Sequence, residues 1–213
     1  QQSGNYPGVT VEHTIGTLTL AEGASLDLVD LPGTYSLAAH SPDEMLAVDV
    51  LLGQQPDAPP IDGILAIVDA SNLRRNLYLV SQLAETDLPM VIALNMTDVA
   101  LKREIIIDAE ALSKKIGAPV LPICAHRREN LDELRSVLAT LSNKYPSVSD
   151  APVAHQHRVT LPDALLQGIG ELQALATRPL STVEGLRALV DEDSYAENRF
   201  LAQAPKDAPD KLA

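Results

Sequence analysis

The spacing of apolar residues changes repeatedly along the chain, and each change marks an element. Ile15 to Leu20 and Ser25 to Asp30 alternate apolar and polar residues around Ala21-Glu22-Gly23-Ala24. That alternation predicts an antiparallel hairpin whose second strand ends at Asp30. Upstream, Gly4 to Glu12 has turn chemistry and no helical period, and reads as a turn-rich opening. From Ser36 to Leu52, the spacing of Leu37, Met45, Val48 and Leu52 predicts a helix after a mobile loop, starting near Ser41 or Asp43. Gln54 to Pro60 is a proline-rich break.

Beyond the break the pattern becomes that of buried strands. Gly63 to Asp69 and Met90 to Asn95 are continuous apolar runs of strand length, the mark of strands covered on both faces. Val120 to Ala125 is a third, proline-interrupted run. Between and after them lie helical patterns at Asn72–Thr86, Asp108–Ile116 and Leu131–Leu141. Gly117 is expected to stop the second of these as a left-handed cap, followed by Pro119. Strands alternating with helices predict an α/β sandwich with a mainly parallel sheet. Lys144 to Arg158 reads as a linker, and only helices follow it. Leu161–Thr177 is amphipathic, with Thr160 as its expected cap. Ser181 with Glu184 and Ser194 with Glu197 each fit a capping box. The polar tail after Gln203 is expected to be disordered or cut from something larger.

Composition narrows the classes of function. At 213 residues there is room for one ordinary domain and a small appendage. Aromatics make up 3%, so the core must rest on aliphatic side chains. A net charge of −13 argues against a broad nucleic-acid or anionic-membrane surface. The single cysteine, Cys124, excludes an internal disulfide and a Cys-based zinc cluster, and suits a reducing cytosol. No apolar run reaches the roughly 18 residues of a membrane span, and Gln1 to Asn5 is not a secretory signal. A soluble cytoplasmic chain is expected.

Candidate chemistry sits at the carboxyl ends of the strands, where α/β sheets place their sites. In Asp30-Leu31-Pro32-Gly33 the carboxylate can hold a magnesium ion through water, and the glycine amide can approach a phosphate. The alternative is an ordinary Asp/Gly turn. In Asn95-Met96-Thr97-Asp98, Asp98 can accept from the ring N1–H and amine of guanine, while Asn95 contacts the base's acceptor edge and braces neighbouring loops. A polar turn closing a strand is the alternative. At Ile123-Cys124-Ala125-His126 the Ala125 amide can meet the guanine oxygen, and His126 reads as an exposed loop histidine. Cys124 reads as a small buried hydrophobe rather than a nucleophile. Thr10 offers a hydroxyl to magnesium or is simply a structural loop residue. Asp69 is expected to cap the helix beginning near Leu73, and His155 and His157 read as linker residues.

Asp-Leu-Pro-Gly-Thr-Tyr-Ser-Leu (30–37), preceded by Asn-Tyr-Pro-Gly-Val-Thr-Val-Glu (5–12) and followed by Asn-Met-Thr-Asp (95–98), resembles the cytoplasmic GTPase domain of the bacterial ferrous iron transport protein B family. The resemblance runs from about Gly4 to Leu141. It implies a Ras-like G domain over 1–143, a linker over 144–160 and part of a helical regulatory domain over 161–213. It implies GTP or GDP as ligand, with Gly8, Val9 and Thr10 in switch I and the Gly33 amide sensing the γ-phosphate. Thr10 and, through water, Asp30 would bind Mg2+, with K+ as a further candidate cation. Asn95, Met96 and Asp98 would contact guanine, with Cys124 and Ala125 in the loop closing over the base. It further implies a transmembrane permease as partner and a place as the cytoplasmic domain of an inner-membrane protein.

Two departures shape the expectation. Thr34 stands where small GTPases often carry a glutamine that orients the attacking water. No Gly-x-x-x-x-Gly-Lys-Ser/Thr phosphate loop occurs in the sequence, so phosphate binding should be weak and hydrolysis near zero. The strand carrying that loop should be central, so two strands should lose a partner; a rearranged sheet, self-association with another copy through the gap, and trimming from a longer protein are the alternatives. A nucleotide-free interaction module of the same fold and an unrelated doubly wound enzyme are the rival readings.

Overall fold

A computed structural model describes residues 2–6, 9–20, 25–38, 42–55, 60–86, 88–144, 161–178, 180–191 and 195–203. The chain forms two compact units, Gln1–Leu31 with Asp57–Arg158, and Pro32–Pro56 with Val159–Ala213.

The first unit holds two three-stranded sheets. β1 (Gln2–Tyr6), β2 (Val9–Thr19) and β3 (Ser25–Asp30) form an antiparallel ribbon in that order. The β2–β3 hairpin is the one the alternation predicts, with Ile15 opposite Val29 and Leu18 opposite Leu26. The turn-rich reading of Gly4–Glu12 is corrected, because Gln2–Tyr6 pairs along β2. Pro7 and Gly8 dominated that reading, yet Val9, Thr10, Val11 and Thr14 are β-branched and favour extended backbone.

The second sheet is parallel, in the order β4 (Ile64–Asp69), β5 (Met90–Asn95), β6 (Val120–Pro122). The middle strand is buried on both faces, as its unbroken apolar run requires; Val91, Ile92, Ala93 and Leu94 are at most 1% exposed. Burial on both faces does not hold for β4, where Ile67 is 58% exposed. Among the described residues β4 pairs only with β5, and β3 only with β2.

Around the parallel sheet lie α2 (Leu73–Leu83), the short α3 (Thr97–Lys102), α4 (Ala109–Ile116) and α5 (Leu131–Lys144). Leu134 and Leu138 of α5 pack on Val91, Ala93, Leu121 and Ile123, and Leu18 and Leu26 of the ribbon join the same cluster. Gly117 closes α4 at φ 80°, the left-handed cap read from its position. Asp69 closes the turn before α2, its carboxylate accepting from the Ser71 N–H at 2.8 Å. The third strand is shorter than its apolar run, because Cys124 leaves the sheet to bridge with Glu129.

The second unit is helical among its described residues: α1 (Pro42–Leu51), α6 (Asp163–Leu175), α7 (Thr182–Val190) and α8 (Tyr195–Gln203). Pro42 occupies the first helical position, where its missing N–H costs nothing. The expected capping box at Ser181 and Glu184 is present, with the Ser181 hydroxyl accepting from the Glu184 N–H at 3.2 Å. Glu184 also receives Arg178 at 2.7 Å. The cap of α6 is Pro162 without a side-chain bond. The expected caps Ser41, Thr160 and Ser194, the linker at 145–160 with His155 and His157, and the tail after Gln203 lie outside the described residues. Asp49 of α1 accepts from the Tyr195 hydroxyl at 3.0 Å and pairs with Arg199, tying α1 to α8. Leu172, Ala188 and Phe200 form the core of this unit. No helix among the described residues is long and apolar enough to cross a membrane.

Candidate guanine-recognition site

β5 and β6 run parallel and side by side, so their carboxyl ends deliver two loops to the same place. One loop is Asn95 to Asp98, the other Cys124 to Asn130. Side chains then tie the loops together. The Asn95 carboxamide oxygen accepts from the Ala125 N–H at 3.1 Å, and the Thr97 hydroxyl donates to the Ile123 carbonyl at 2.9 Å. Asn130 donates from Nδ2 to the Pro122 carbonyl at 2.9 Å and steadies the far side of the second loop.

Asp98 lies in the first turn of α3 with its carboxylate 10% exposed. The Cys124 thiol donates to its Oδ1 at 3.4 Å. His126 Nε2 stands 3.6 Å from its Oδ2, and Arg127 Nη2 stands 3.8 Å from the same oxygen. Burial by itself would raise the Asp98 carboxyl, but the Cys124 hydrogen bond, His126, Arg127 and the Val99 backbone bond outweigh it and hold it below the ordinary carboxylate range. Asp98 is therefore an anion at neutral pH, as an acceptor for two base N–H groups must be. Cys124 is 1% exposed. Burial first, and then donation to Asp98, push its thiol up.

Met96 adopts the left-handed conformation at φ 60°, which costs a non-glycine residue about 1 kcal/mol. This turns the chain sharply from β5 into α3 and leaves the Met96 side chain 37% exposed beside the loop. Strain of that kind is retained where a loop must hold one shape.

The structure thus brings Asn95, Met96, Asp98, Cys124 and Ala125 together. The Ala125 N–H, expected to face the guanine oxygen, is donated to Asn95 instead, so meeting a base requires it to be shared or released. Sequence reasoning passed over Thr97, Arg127 and Asn130, and set His126 aside. A run of basic residues (His126 to Arg128) directly after a strand end was the signal for the cationic side of this loop.

The phosphate side is not gathered in the same way. Gly8 lies outside the described residues, and Val9 and Thr10 open β2. Thr14 is the residue opposite Asp30, so Thr10 stands four residues away along the strand, about 13 Å at the usual rise. Oxygen donors at Thr10 and Asp30 suit Mg2+ in kind. Asp30 is exposed at the end of β3, and Gly33 is exposed in the segment that belongs to the second unit. Beyond it the Thr34 hydroxyl is engaged locally, donating to the Ser36 carbonyl at 2.6 Å.

Comparison with known proteins bears on this arrangement. The Fe(2+) transporter FeoB of Salmonella typhimurium is 42% identical over 139 residues, 63% of this chain and 17% of that protein. Its namesake from Escherichia coli K12 is 37% identical over 168 residues, 77% of this chain and 20% of that protein. The chain therefore spans a fifth or less of the length of these relatives. A mutant of S. thermophilus NFeoB, solved bound to GDP, superposes with a TM-score of 0.76 at 30% identity, covering 99% of this chain and 76% of that one. The sequence profile described as "Ferrous iron transport protein B" matches residues 1–138. An α/β domain whose strand ends carry Asn95-Met96-Thr97-Asp98, matched over that length, belongs to the ferrous iron transport protein B family.

Proposed function

We propose that this chain is the guanine-reading part of a GTPase unit serving ferrous iron transport. The observation that carries the reading is the joined pair of loops at Asn95–Asp98 and Cys124–Ala125, tied by the 3.1 Å bond from Ala125 N–H to Asn95 and presenting an ionised Asp98. In this reading the Asp98 oxygens accept from the N1–H and exocyclic amine of guanine. The Asn95 amide nitrogen donates to the base's acceptor edge, since its oxygen is engaged by Ala125. Met96 lies over the ring face. Adenine presents an acceptor at N1 and no amine at C2, so it leaves Asp98 unpaired, and that mismatch is the basis of selectivity.

The nucleotide side of the proposal is GTP or GDP with Mg2+, K+ being a further candidate. Asp30 would face the metal through water, and Thr10 would join only if the segment from Val9 leaves its strand pairing, an order–disorder change of the kind GTPase switches use. In the longer protein, GTP binding and hydrolysis would act on a transmembrane permease through the helical unit. This chain by itself, without a phosphate loop in its 213 residues, is expected to bind nucleotide weakly and to hydrolyse next to none.

The test is a titration with fluorescent GDP in magnesium, with GTP and ATP as competitors. It is run on this chain and on the chain extended upstream in its own gene. GTP-displaceable, ATP-resistant binding that is tight in the extended chain supports the reading. No guanine preference in either sinks it and leaves a nucleotide-free interaction module.

A further inference from the structure

We propose that Asp98, Cys124 and His126 form a site for one divalent transition-metal ion, and that metal and guanine exclude each other there. The three residues each offer one donor atom of a different kind, and these atoms all lie within 4.8 Å of one another. Cys124 Sγ is 3.4 Å from Asp98 Oδ1 and 4.0 Å from His126 Nε2, which is 3.6 Å from Asp98 Oδ2. A tetrahedral ion with bonds of about 2.0–2.3 Å holds its donors about 3.3–3.7 Å apart. The two carboxylate distances reach different oxygens of Asp98, and Cys124 Sγ also stands 3.4 Å from His126 Nδ1. One oxygen serving the ion needs rotation of the Asp98 carboxylate and of His126, whose ring is 58% exposed and the most accessible of the three.

The donor set decides the class of ion. Sulfur and imidazole nitrogen suit Zn2+, Co2+ or Fe2+, and reject Mg2+ and Ca2+, which take oxygen ligands. As the ion binds, the Cys124 S–H bond breaks, its proton passes to solvent and a sulfur–metal bond forms. Thiolate and carboxylate then balance the two positive charges. The exposed side of His126 leaves the fourth position to water. Arg127, 3.8 Å from Asp98 Oδ2, is the competitor already in place, and Glu129, 3.8 Å from Arg127 Nη1, is where its guanidinium can turn when an ion enters.

Exclusion follows from the single carboxylate and rests on the guanine reading above. Asp98 cannot ligate an ion and accept from the guanine N1–H and amine at once. A site of this kind makes base recognition responsive to transition-metal ions at the strand end farthest in chemistry from the Mg2+–phosphate contact.

The experiment is an anaerobic titration of the reduced 213-residue chain with Co2+, read by absorbance. Saturation at one equivalent with a thiolate-to-cobalt band, reversed by Zn2+, is expected. Cys124→Ser should abolish the band. His126→Ala, a change at an exposed position that spares the fold, should weaken binding at least about tenfold, since even outer partners of a metal cost that much. Arg127→Gln should tighten it. Circular dichroism confirms that each variant is folded. No thiolate band in the folded wild type, or unchanged affinity in His126→Ala, overturns the site.

The second arm uses the chain extended upstream, loaded with fluorescent GDP. At a Zn2+ concentration that saturates the wild type but not His126→Ala, the nucleotide should leave the wild type and stay on His126→Ala. Release from both, or from neither while the cobalt band persists, overturns exclusion and leaves the metal site standing. If no form binds GDP, the guanine reading fails and exclusion with it, while the cobalt result is untouched.

Discussion

The loops after β5 and β6 and the segment after β3 carry equally recognisable motifs, yet they are built differently. The first of that pair follows a strand buried on both faces, and the two loops are held by Asn95, Thr97 and Asn130. The segment after β3 leaves an antiparallel ribbon whose last strand is partly or wholly exposed along its length, and within three residues it enters a different compact unit. In the proposed function, a base is read by groups whose positions do not change between nucleotide states, and that calls for a rigid support. A γ-phosphate must be sensed by something that can move, and such elements come from the weakly buried end of a structure.

The sharpest way to break this comparison is to remove a methyl-rich side chain from each support. Leu94→Ala in β5, at 1% exposure, should cost about 2–5 kcal/mol in denaturant unfolding. Leu28→Ala in β3, at 36% exposure, should cost less than about 1 kcal/mol. Similar costs at the two positions would mean that the supports do not differ.

Next in size is the specificity of the rigid end. Asp98→Asn replaces an acceptor by a group that also donates, so guanine should lose at least about tenfold in affinity, the worth of one charged hydrogen bond. Xanthine, which carries an oxygen where guanine has its amine, should gain. Competition by the two nucleoside diphosphates on the extended chain reads both effects, and an unchanged guanine preference would remove Asp98 from the site.

The helical unit has its own polar anchor. Asp49→Asn leaves Arg199 without its carboxylate at a position only 18% exposed, and should lower stability by about 1–3 kcal/mol in thermal unfolding. Asn95→Ala should cost about 1 kcal/mol, because the Ala125 N–H sits at an exposed loop where water can replace the lost acceptor. A loss much larger than that of Asp49→Asn would reverse the order expected here.

The smallest effect is with pH. Burial first, then the charge of Asp49 and its hydrogen bond, push the Tyr195 phenol up, against the opposing pull of Arg199 and Arg178. A raised folded value means that the folded state holds the proton more tightly. The stabilisation is complete below the unfolded value near 10 and disappears as pH rises through the folded one. In an ultraviolet tyrosinate titration, the component missing from Tyr195→Phe should ionise above the ordinary phenol value. If that component ionises at or below the ordinary value, Asp49 and burial do not act on it as described.

Much of this molecule was legible in local pattern. The unbroken apolar run Met90–Leu94 announced a strand buried on both faces, Gly117 announced its cap, and Ser181 with Glu184 announced theirs. These are properties of a few neighbouring residues, set by side-chain periodicity and by the need to satisfy backbone groups at helix ends. The place of Asn95–Asp98 at a strand end was legible too, because the apolar run stops at Asn95.

What local pattern does not carry is pairing at a distance. Nothing in the run Ile64–Val68 tells that, among the described residues, it pairs only with β5 and that Ile67 is left exposed. Nor does the apolar spacing of α1 say that Asp49 belongs with Tyr195 and Arg199, some 150 residues away. Cys124 read as an inert buried residue until the parallel register of β5 and β6 set its sulfur against Asp98, 26 residues earlier, with His126 beside them. Periodicity reports which face of an element is apolar; only tertiary packing decides what that face, or the loop at its end, will meet.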